Sequence, residues 1–249
     1  MTLPTFICQG ELPQPGQRFE FAGPEARHAA TVKRLGVGEE LALVDGRGGE
    51  SVCTIVEVVA KDRLVVESTS LSKMPPREPS VTVVQALPKS DRSELSVDLA
   101  TQAGAERIIP WAAARCIAKW PGNKAEKGRA KWEAAAQAAA KQCRRPVIPV
   151  IEPLAGTPAV AAEIQRVTAA GGVAVVLHET ATASIREVDF TGAKEILLIV
   201  GPEGSLAPEE LEVFAAAGAQ TVLLGPEVLR TACAAMVGLA AIGVLTDRW

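Results

Sequence analysis

Three short segments hold the residues whose types and spacing could build one ligand site: Leu177-His-Glu-Thr180, Gly201-Pro-Glu-Gly-Ser-Leu206 and Leu223-Leu-Gly-Pro-Glu-Val-Leu-Arg-Thr231. Each follows a short apolar run, and the last two open helical patterns at Pro208 and Thr231. In parallel α/β sheets, ligands bind in the loops at the carboxyl ends of strands. Gly201, Gly204 and Gly225 allow close backbone approach or positive φ there. One such loop is an ordinary strand-to-helix turn. Three in succession point to a shared site.

Arg230 is the residue hardest to explain by folding alone. It stands at the start of the last helix, where the macrodipole disfavours a cation by a few tenths to ~1 kcal/mol. Thr231 is the expected N-cap, so the helix has no need of Arg230. A salt bridge to Glu203 or Glu227 is the structural alternative. A fixed cation in a ligand loop can stabilise an anion that develops during reaction.

Other chemistries lack their residues. No GxGxxG follows the first apolar run, and no GxxxxGK[ST] occurs, so ordinary dinucleotide and P-loop sites are without their fingerprints. The chain has 2 histidines, His28 and His178, too few for a His-rich metal site or a His-centred triad with a spare. Five cysteines (Cys8, Cys53, Cys116, Cys143, Cys233) are scattered without a CxxC pair, which argues against disulfides or zinc and for a reducing, cytoplasmic setting. No apolar run is long enough to span a bilayer, and the first residues carry no secretory pattern.

The formal charge of −3 conceals an asymmetry. Arg115 to Arg145 holds nine Lys or Arg against two Glu, a net of +7 in an otherwise acidic chain. A solvated helix face would read this way, but so would a local phosphate-binding surface.

The elements that must position these residues fall into two patterns. Residues 1–72 read as a small β domain: Leu41 to Asp45, Val52 to Val59 and Arg63 to Glu67 are rich in Val, Ile and Leu, with turns at Asp45-Gly46 and Lys61-Asp62. Glu25 to Leu35 predicts a short helix. Residues 73–79, with three prolines, form the expected linker. From 80 to 249, apolar runs (Val81 to Leu87, Ile108 to Trp111, Val147 to Ile151, Val173 to Leu177, Ile196 to Val200, Thr221 to Leu224) alternate with helical stretches. Strands apolar on both faces, alternating with helices, predict an α/β domain with a covered parallel sheet.

Gly201-Pro-Glu-Gly204 with Pro208-Glu-Glu210, then Leu224-Gly-Pro226 and Leu229-Arg-Thr231, closely resemble the 16S ribosomal RNA uracil-N3 methyltransferases of the SPOUT, or α/β-knot, superfamily. Leu87-Pro-Lys-Ser-Asp-Arg92 is similar to the opening of that family's catalytic domain, and Gln142 with Arg145 to part of its basic helix end. Arg27-His28, Val32-Lys-Arg-Leu35, Gly38 and Asp45-Gly46 are similar to its N-terminal PUA-like domain. This chain departs from the family pattern at Ser205, where a second glycine is usual, and at Ala232, Gln102 and Lys141, where acids are common.

The resemblance implies a SPOUT-type trefoil-knot parallel-sheet domain preceded by a small PUA-like β-barrel domain that binds RNA. It implies a homodimer, no metal, and methyl transfer from S-adenosylmethionine to N3 of a specific uridine in 16S ribosomal RNA within the small subunit. The cofactor would be held by Leu177, His178, Gly201, Pro202, Glu203, Gly204, Leu223, Leu224, Gly225, Leu229 and Thr231. RNA would be held by Arg27, Lys33, Arg34, Lys89, Arg92, Arg144 and Arg145. Arg230 is the expected catalytic residue: the nucleophile is deprotonated uracil, and a cation beside its oxygens stabilises the charge. No side chain is assigned as general base. A SPOUT enzyme acting on a ribose 2′-OH or another base, and a noncatalytic RNA-binding protein on the same scaffold, are the alternatives.

Overall fold

Alternating side chains build the first of two contact units. The computed structural model describes residues 3–249, apart from the side chain of Ser90. One unit comprises the chain up to Pro76 together with Ala140–Ile148; the other comprises Arg77–Ala139 and Pro149–Trp249. In the first, β1 (Thr5–Ile7), β2 (Arg18–Ala22), β3 (Glu40–Val44), β4 (Gly49–Ala60) and β5 (Arg63–Lys73) form a sheet in the order β1-β3-β4-β5-β2. β1 runs parallel to β3, and the other neighbours are antiparallel. Along β4, burial alternates so that Ser51, Cys53 and Ile55 face inward. Cys53 and Ile55 join a core of Phe6, Phe21, Leu41, Leu43, Leu64 and Val66. The β3–β4 turn is closed by Asp45, whose Oδ1 accepts the N–H groups of Arg47 and Gly49 at 2.7 and 2.9 Å.

The sequence reading overlooked β1 and β2. It also overextended the first helix. α1 covers Pro24–Arg27 and gives way to a π-helical turn over His28–Val32, ending at Arg34 with φ 56°. Ala26 and Ala29 are the buried residues of this stretch, and two methyl groups anchor too little surface to hold three α-turns. Arg27, Lys33 and Arg34 are exposed. Lys73, the first residue of the expected linker, ends β5, and the Met74 N–H donates to the Gly48 carbonyl at 2.8 Å.

Residues Ala140–Ile148 group with the β unit, although the sequence pattern placed them in the α/β domain. Val147 bridges Arg47 antiparallel, Gly48 N–H donates to Pro146, and Lys141 Nζ lies 2.7 Å from Glu25 Oε1. The expected strand from Val147 to Ile151 is thereby split. Arg145 needs correction as a phosphate ligand: it is 9% exposed, so little of it is open to RNA. Arg144 beside it is exposed, with φ 56°.

In the second unit, apolar strands are covered by helices. β6 (Ser80–Ala86), β7 (Arg107–Trp111), β8 (Val150–Ile151), β9 (Val173–Leu177), β10 (Glu195–Val200) and β11 (Gln220–Val222) form a sheet in the order β11-β9-β10-β6-β7-β8. Every neighbouring pair is parallel. Ile196 to Ile199 are fully buried along both faces of β10, as the unbroken apolar run required. The helices are α2 (Ser93–Gln102), α3 (Lys124–Gln142), α4 (Thr157–Ala169), α5 (Pro208–Ala216) and α6 (Thr231–Leu245). α6 lies close against the sheet because Gly238 has no side chain: a Cβ there would meet Leu198 at 2.9 Å.

Candidate functional site

The sheet order places β9 between β10 and β11, and the register ends all three strands level. Leu177 pairs with Val200 on one side and Val222 on the other. The three glycine- and apolar-rich loops therefore leave one edge side by side. They enclose a cavity of about 320 Å³. Leu177, His178, Gly201, Pro202, Glu203, Leu223, Leu224, Gly225, Leu229, Arg230 and Thr231 all line it, and Arg92 joins them. Gly204 does not. It is wedged against Arg115 instead, where a Cβ would stand 3.0 Å from that residue's carbonyl oxygen.

The loops are tied to one another by backbone bonds around Leu223. Leu223 N–H donates to Ala183, its carbonyl accepts from Ile185, and His178 N–H donates to Val222. Just beyond, the pairing stops. The backbone groups of Leu224, Gly225 and Leu229 meet no hydrogen-bond partner among the described residues. Such groups are normally satisfied, so this stretch is suited to hold a ligand through its main chain. A Cβ on Gly225 would meet nothing closer than 4.0 Å, which makes that glycine an opening onto the cavity. Gly201 serves packing: a Cβ there would stand 2.9 Å from Leu206.

Arg230, not Thr231, is the N-cap residue of α6. Its φ and ψ of −66° and 140° aim its carbonyl at Cys233 and Ala234, which donate to it at 2.8 and 3.0 Å. Thr231 is the first helical residue and is buried, because the chain turns into the helix one residue earlier than the hydroxyl suggested. The Arg230 side chain is exposed and, among the described residues, pairs with neither Glu203 nor Glu227. The structural alternative for this cation is thus not realised. Glu203 is committed elsewhere: Oε1 accepts the Lys89 N–H at 3.0 Å, and Oε2 is buried without a partner among the described residues.

Sequence reasoning missed Glu179 as a wall residue and gave Ser205 no task. Ser205 adopts φ 61°, a left-handed conformation that favours glycine. His178 Nδ1 accepts the Thr180 N–H at 3.3 Å, so Nε2 carries the donor hydrogen toward Ser205 Oγ, also at 3.3 Å. Ser205 in turn donates to Glu179 Oε1 at 2.7 Å. That hydroxyl holds the Glu179 carboxyl below its ordinary pKa. The carboxylate sits on the serine and not on histidine Nδ1, so these three residues do not form a nucleophilic triad. The signal available in the sequence was Ser205 itself, a side chain at a glycine position. Among the described residues no group of three or more His, Cys, Asp or Glu could hold a metal, and no helix is long and apolar enough to cross a membrane.

Comparison with known proteins finds two family matches in the chain. A family described as "RNA methyltransferase domain" matches residues 76–243, and one described as "RNA methyltransferase PUA domain" matches residues 21–67. A ribosomal RNA small subunit methyltransferase E of Mycobacterium bovis is 46% identical over 96% of this chain and 90% of its own length. A protein of Legionella pneumophila, solved with its bound cofactor SAM, is 27% identical and superposes with a TM-score of 0.83 over 98% of both chains. The fold is shared with the methyltransferase E of Neisseria gonorrhoeae at a TM-score of 0.85 and 24% identity, again over 98% of both chains. With 46% identity to a relative over 96% of this chain, and an RNA methyltransferase domain matched over residues 76–243, this chain belongs to the ribosomal RNA small subunit methyltransferase E family.

Proposed function

We propose that the protein transfers a methyl group from S-adenosylmethionine to N3 of a specific uridine in the 16S ribosomal RNA of the small subunit. The observation that carries this reading is the pairing of unmatched backbone groups at Leu224, Gly225 and Leu229 with an unpaired Arg230 at the same cavity. S-adenosylmethionine supplies an electrophilic methyl group. The chain's own residues do the rest. Leu177, Leu223 and Leu224 provide an apolar wall for adenine, while the free N–H and C=O groups of Leu224, Gly225 and Leu229 match its polar edge and the methionine part. Gly201 and Pro202 close the second side, and the Lys89–Glu203 bond fixes that loop.

Uracil N3 carries a proton that must leave before it can attack, and solvent takes it. The resulting charge spreads over two ring oxygens. Arg230 offers those oxygens a planar fork of donors with no competing carboxylate. Arg92, on the same cavity, and exposed Lys89, Arg27, Lys33, Arg34 and Arg144 are the remaining contacts for RNA.

The finer architecture follows the same reading. The last loops thread through one another as a trefoil knot, a reading that rests on the family likeness; Leu223 is tied to the segment around Ser184 by one parallel bridge. The small sheet closes as a PUA-like barrel, and residues 1–72 and 80–249 act as RNA-binding and methyltransferase domains. The protein pairs as a homodimer through the outer side of α6, where Val237 and Val244 stand exposed on one face. It works in the cytoplasm without a metal, and its five cysteines are free thiols. The test is methyl transfer to small subunits from cells lacking the gene, with mass spectrometry of the product nucleoside. 3-Methyluridine is the expected product. A methyl on a ribose 2′-OH or another base, or no methyl at all, would overturn the reading.

A further inference from the structure

Beside the ligand loops, in the same unit, lies a second cavity of about 770 Å³. Lys124, Lys127 and Lys131 line it from α3, where spacings of three and four put them on one stripe of the helix. Lys89 and Lys119 line it from the segments after β6 and β7. Asp91 and Glu94 are its acidic members. Among the described residues, none of the five ammonium groups has an ion pair or hydrogen bond. Like charges gathered round one hollow repel each other, so the fold gains nothing from collecting them. A polyanion would relieve that repulsion.

Between the lysines sits an apolar platform. Trp120 meets Trp132 edge-on, with ring centroids 5.2 Å apart, and Trp132 is fixed by donating to Ser93 Oγ at 2.8 Å. Trp120 can lie against α3 because residue 128 is glycine. A Cβ there would fall 2.5 Å from the indole. Glycine in mid-helix weakens α3, so its presence marks a packing demand at Trp120. Ile117 stands 66% exposed on the same lining.

The hollow also abuts the ligand site. Asp91 lines one cavity and its neighbour Arg92 the other, while the Lys89 N–H holds Glu203 of the ligand loop. We infer that this groove holds the single-stranded RNA segment running on from the target nucleotide. Its phosphates lie on Lys119, Lys124, Lys127 and Lys131, and one base rests against Ile117 and Trp120. Stacking on an aromatic beside a lysine track is how unpaired strands are held, whereas a duplex hides its base faces. The inference rests on the methyl-transfer reading and deepens it by locating the substrate strand.

The triple variant Lys124→Ala, Lys127→Ala, Lys131→Ala tests it, because these side chains are exposed and make no bonds among the described residues. Binding to a single-stranded RNA carrying the methylated sequence is measured against salt, beside methylation of small subunits. Each phosphate contact on a single strand contributes about 0.7 to the log–log salt slope, so the slope should fall by about 2. Extrapolated to physiological salt, that is roughly 10- to 100-fold weaker binding. KM for subunits should rise in step, S-adenosylmethionine affinity should stay unchanged, and arginine at the three positions should restore binding. An unchanged slope, with the unaltered protein methylating normally, would overturn the groove alone and leave the face to an acidic segment of a ribosomal protein. Loss of cofactor binding in the triple variant would overturn it too, by making the lysines structural. An unaltered protein that never methylates subunits would remove the underlying reading itself.

Discussion

The two ends of the parallel sheet treat charge in opposite ways. Around the starts of β7 and β10, charges are saturated: Arg107 reaches Glu152 at 3.1 Å, Glu163 at 3.0 Å and Glu195 at 3.6 Å. Arg166 adds bonds to Glu163 at 2.9 Å and Glu195 at 2.6 Å. At the ends of β9, β10 and β11 the pattern reverses. Among the described residues Arg230 is unpaired there, and three residues leave their backbone groups without partners. A network that satisfies itself supports the fold and has nothing left to give a ligand. Groups left unsatisfied at the other end are what a ligand can use.

The contrast breaks most sharply at Arg230. Arg230→Ala should lower the methyl-transfer rate by roughly 10²- to 10³-fold, the scale of losing one donor to a developing oxyanion. Thermal stability should hold, since the side chain has no bond to any of the described residues. Cofactor affinity should change little, because a sulfonium gains nothing from a nearby cation. Single-turnover methylation, calorimetry and a melting curve separate these three. An unfolded variant would move Arg230 to the saturated end of the comparison.

Gly225→Val comes next. The glycine opens onto the cavity without a close neighbour, so a side chain there should fill ligand space and leave the protein unstrained. S-adenosylmethionine binding should weaken more than 10-fold by calorimetry, about 1.4 kcal/mol or more, while RNA affinity is spared. Normal cofactor binding would show that the third loop faces something else.

At the saturated end the reporter is Glu163, whose carboxyl the Arg166 and Arg107 guanidinium groups hold below its ordinary pKa. A depressed carboxylate pKa means stability that is present above the unfolded value and is lost as pH falls through the folded one. Melting temperature should therefore drop on acidification below the ordinary carboxylate range. Glu163→Gln should lower stability at neutral pH by about 1–3 kcal/mol, the scale of hydrogen bonds to charged groups, and should flatten that acid limb. Cofactor affinity at neutral pH should not change. A variant with the same acid limb would place the acid sensitivity in other carboxylates.

How much of this was legible in the sequence varied with the range of the interactions involved. The apolar runs from Val81 and Ile196 announced a covered parallel sheet, because strands buried on both faces need unbroken apolar side chains. The ligand loops were legible because three such turns follow successive apolar runs, even though Gly201 and Gly204 serve packing and only Gly225 opens onto the cavity. β2 carried a readable alternation in Arg-Phe-Glu-Phe that the sequence reading left out. β1 spans three residues and is defined by pairing with β3, a partner far along the chain. No local pattern could show that Ala140–Ile148 returns to the β unit, or that Arg145 is buried there. The charge run was visible at once. Its division between a buried arginine, a Glu25-paired Lys141 and an unpaired lysine groove required tertiary contacts.

Ser205 offers the finest test of the comparison, because it lies at the open end yet is itself satisfied. Its hydroxyl links His178 to Glu179, and its φ of 61° strains a residue with a side chain. Ser205→Gly relieves that strain, which favours the folded state by about 1 kcal/mol. Against this stand the greater freedom of glycine in the unfolded chain and the loss of a net hydrogen bond, each also about 1 kcal/mol or less. The terms nearly cancel, so the melting temperature should barely move. The Glu179 titration should move instead. Without the donor that holds it down, its carboxyl should return toward the ordinary carboxylate range, which carboxyl NMR can follow. His178 loses its Nε2 partner and keeps only its Nδ1 contacts to Thr180, so S-adenosylmethionine affinity should change by a few-fold while Arg230-dependent catalysis persists. A melting temperature lowered as far as by Glu163→Gln would mean that the serine link supports the fold, and that satisfied charge at this end of the sheet works as it does at the other.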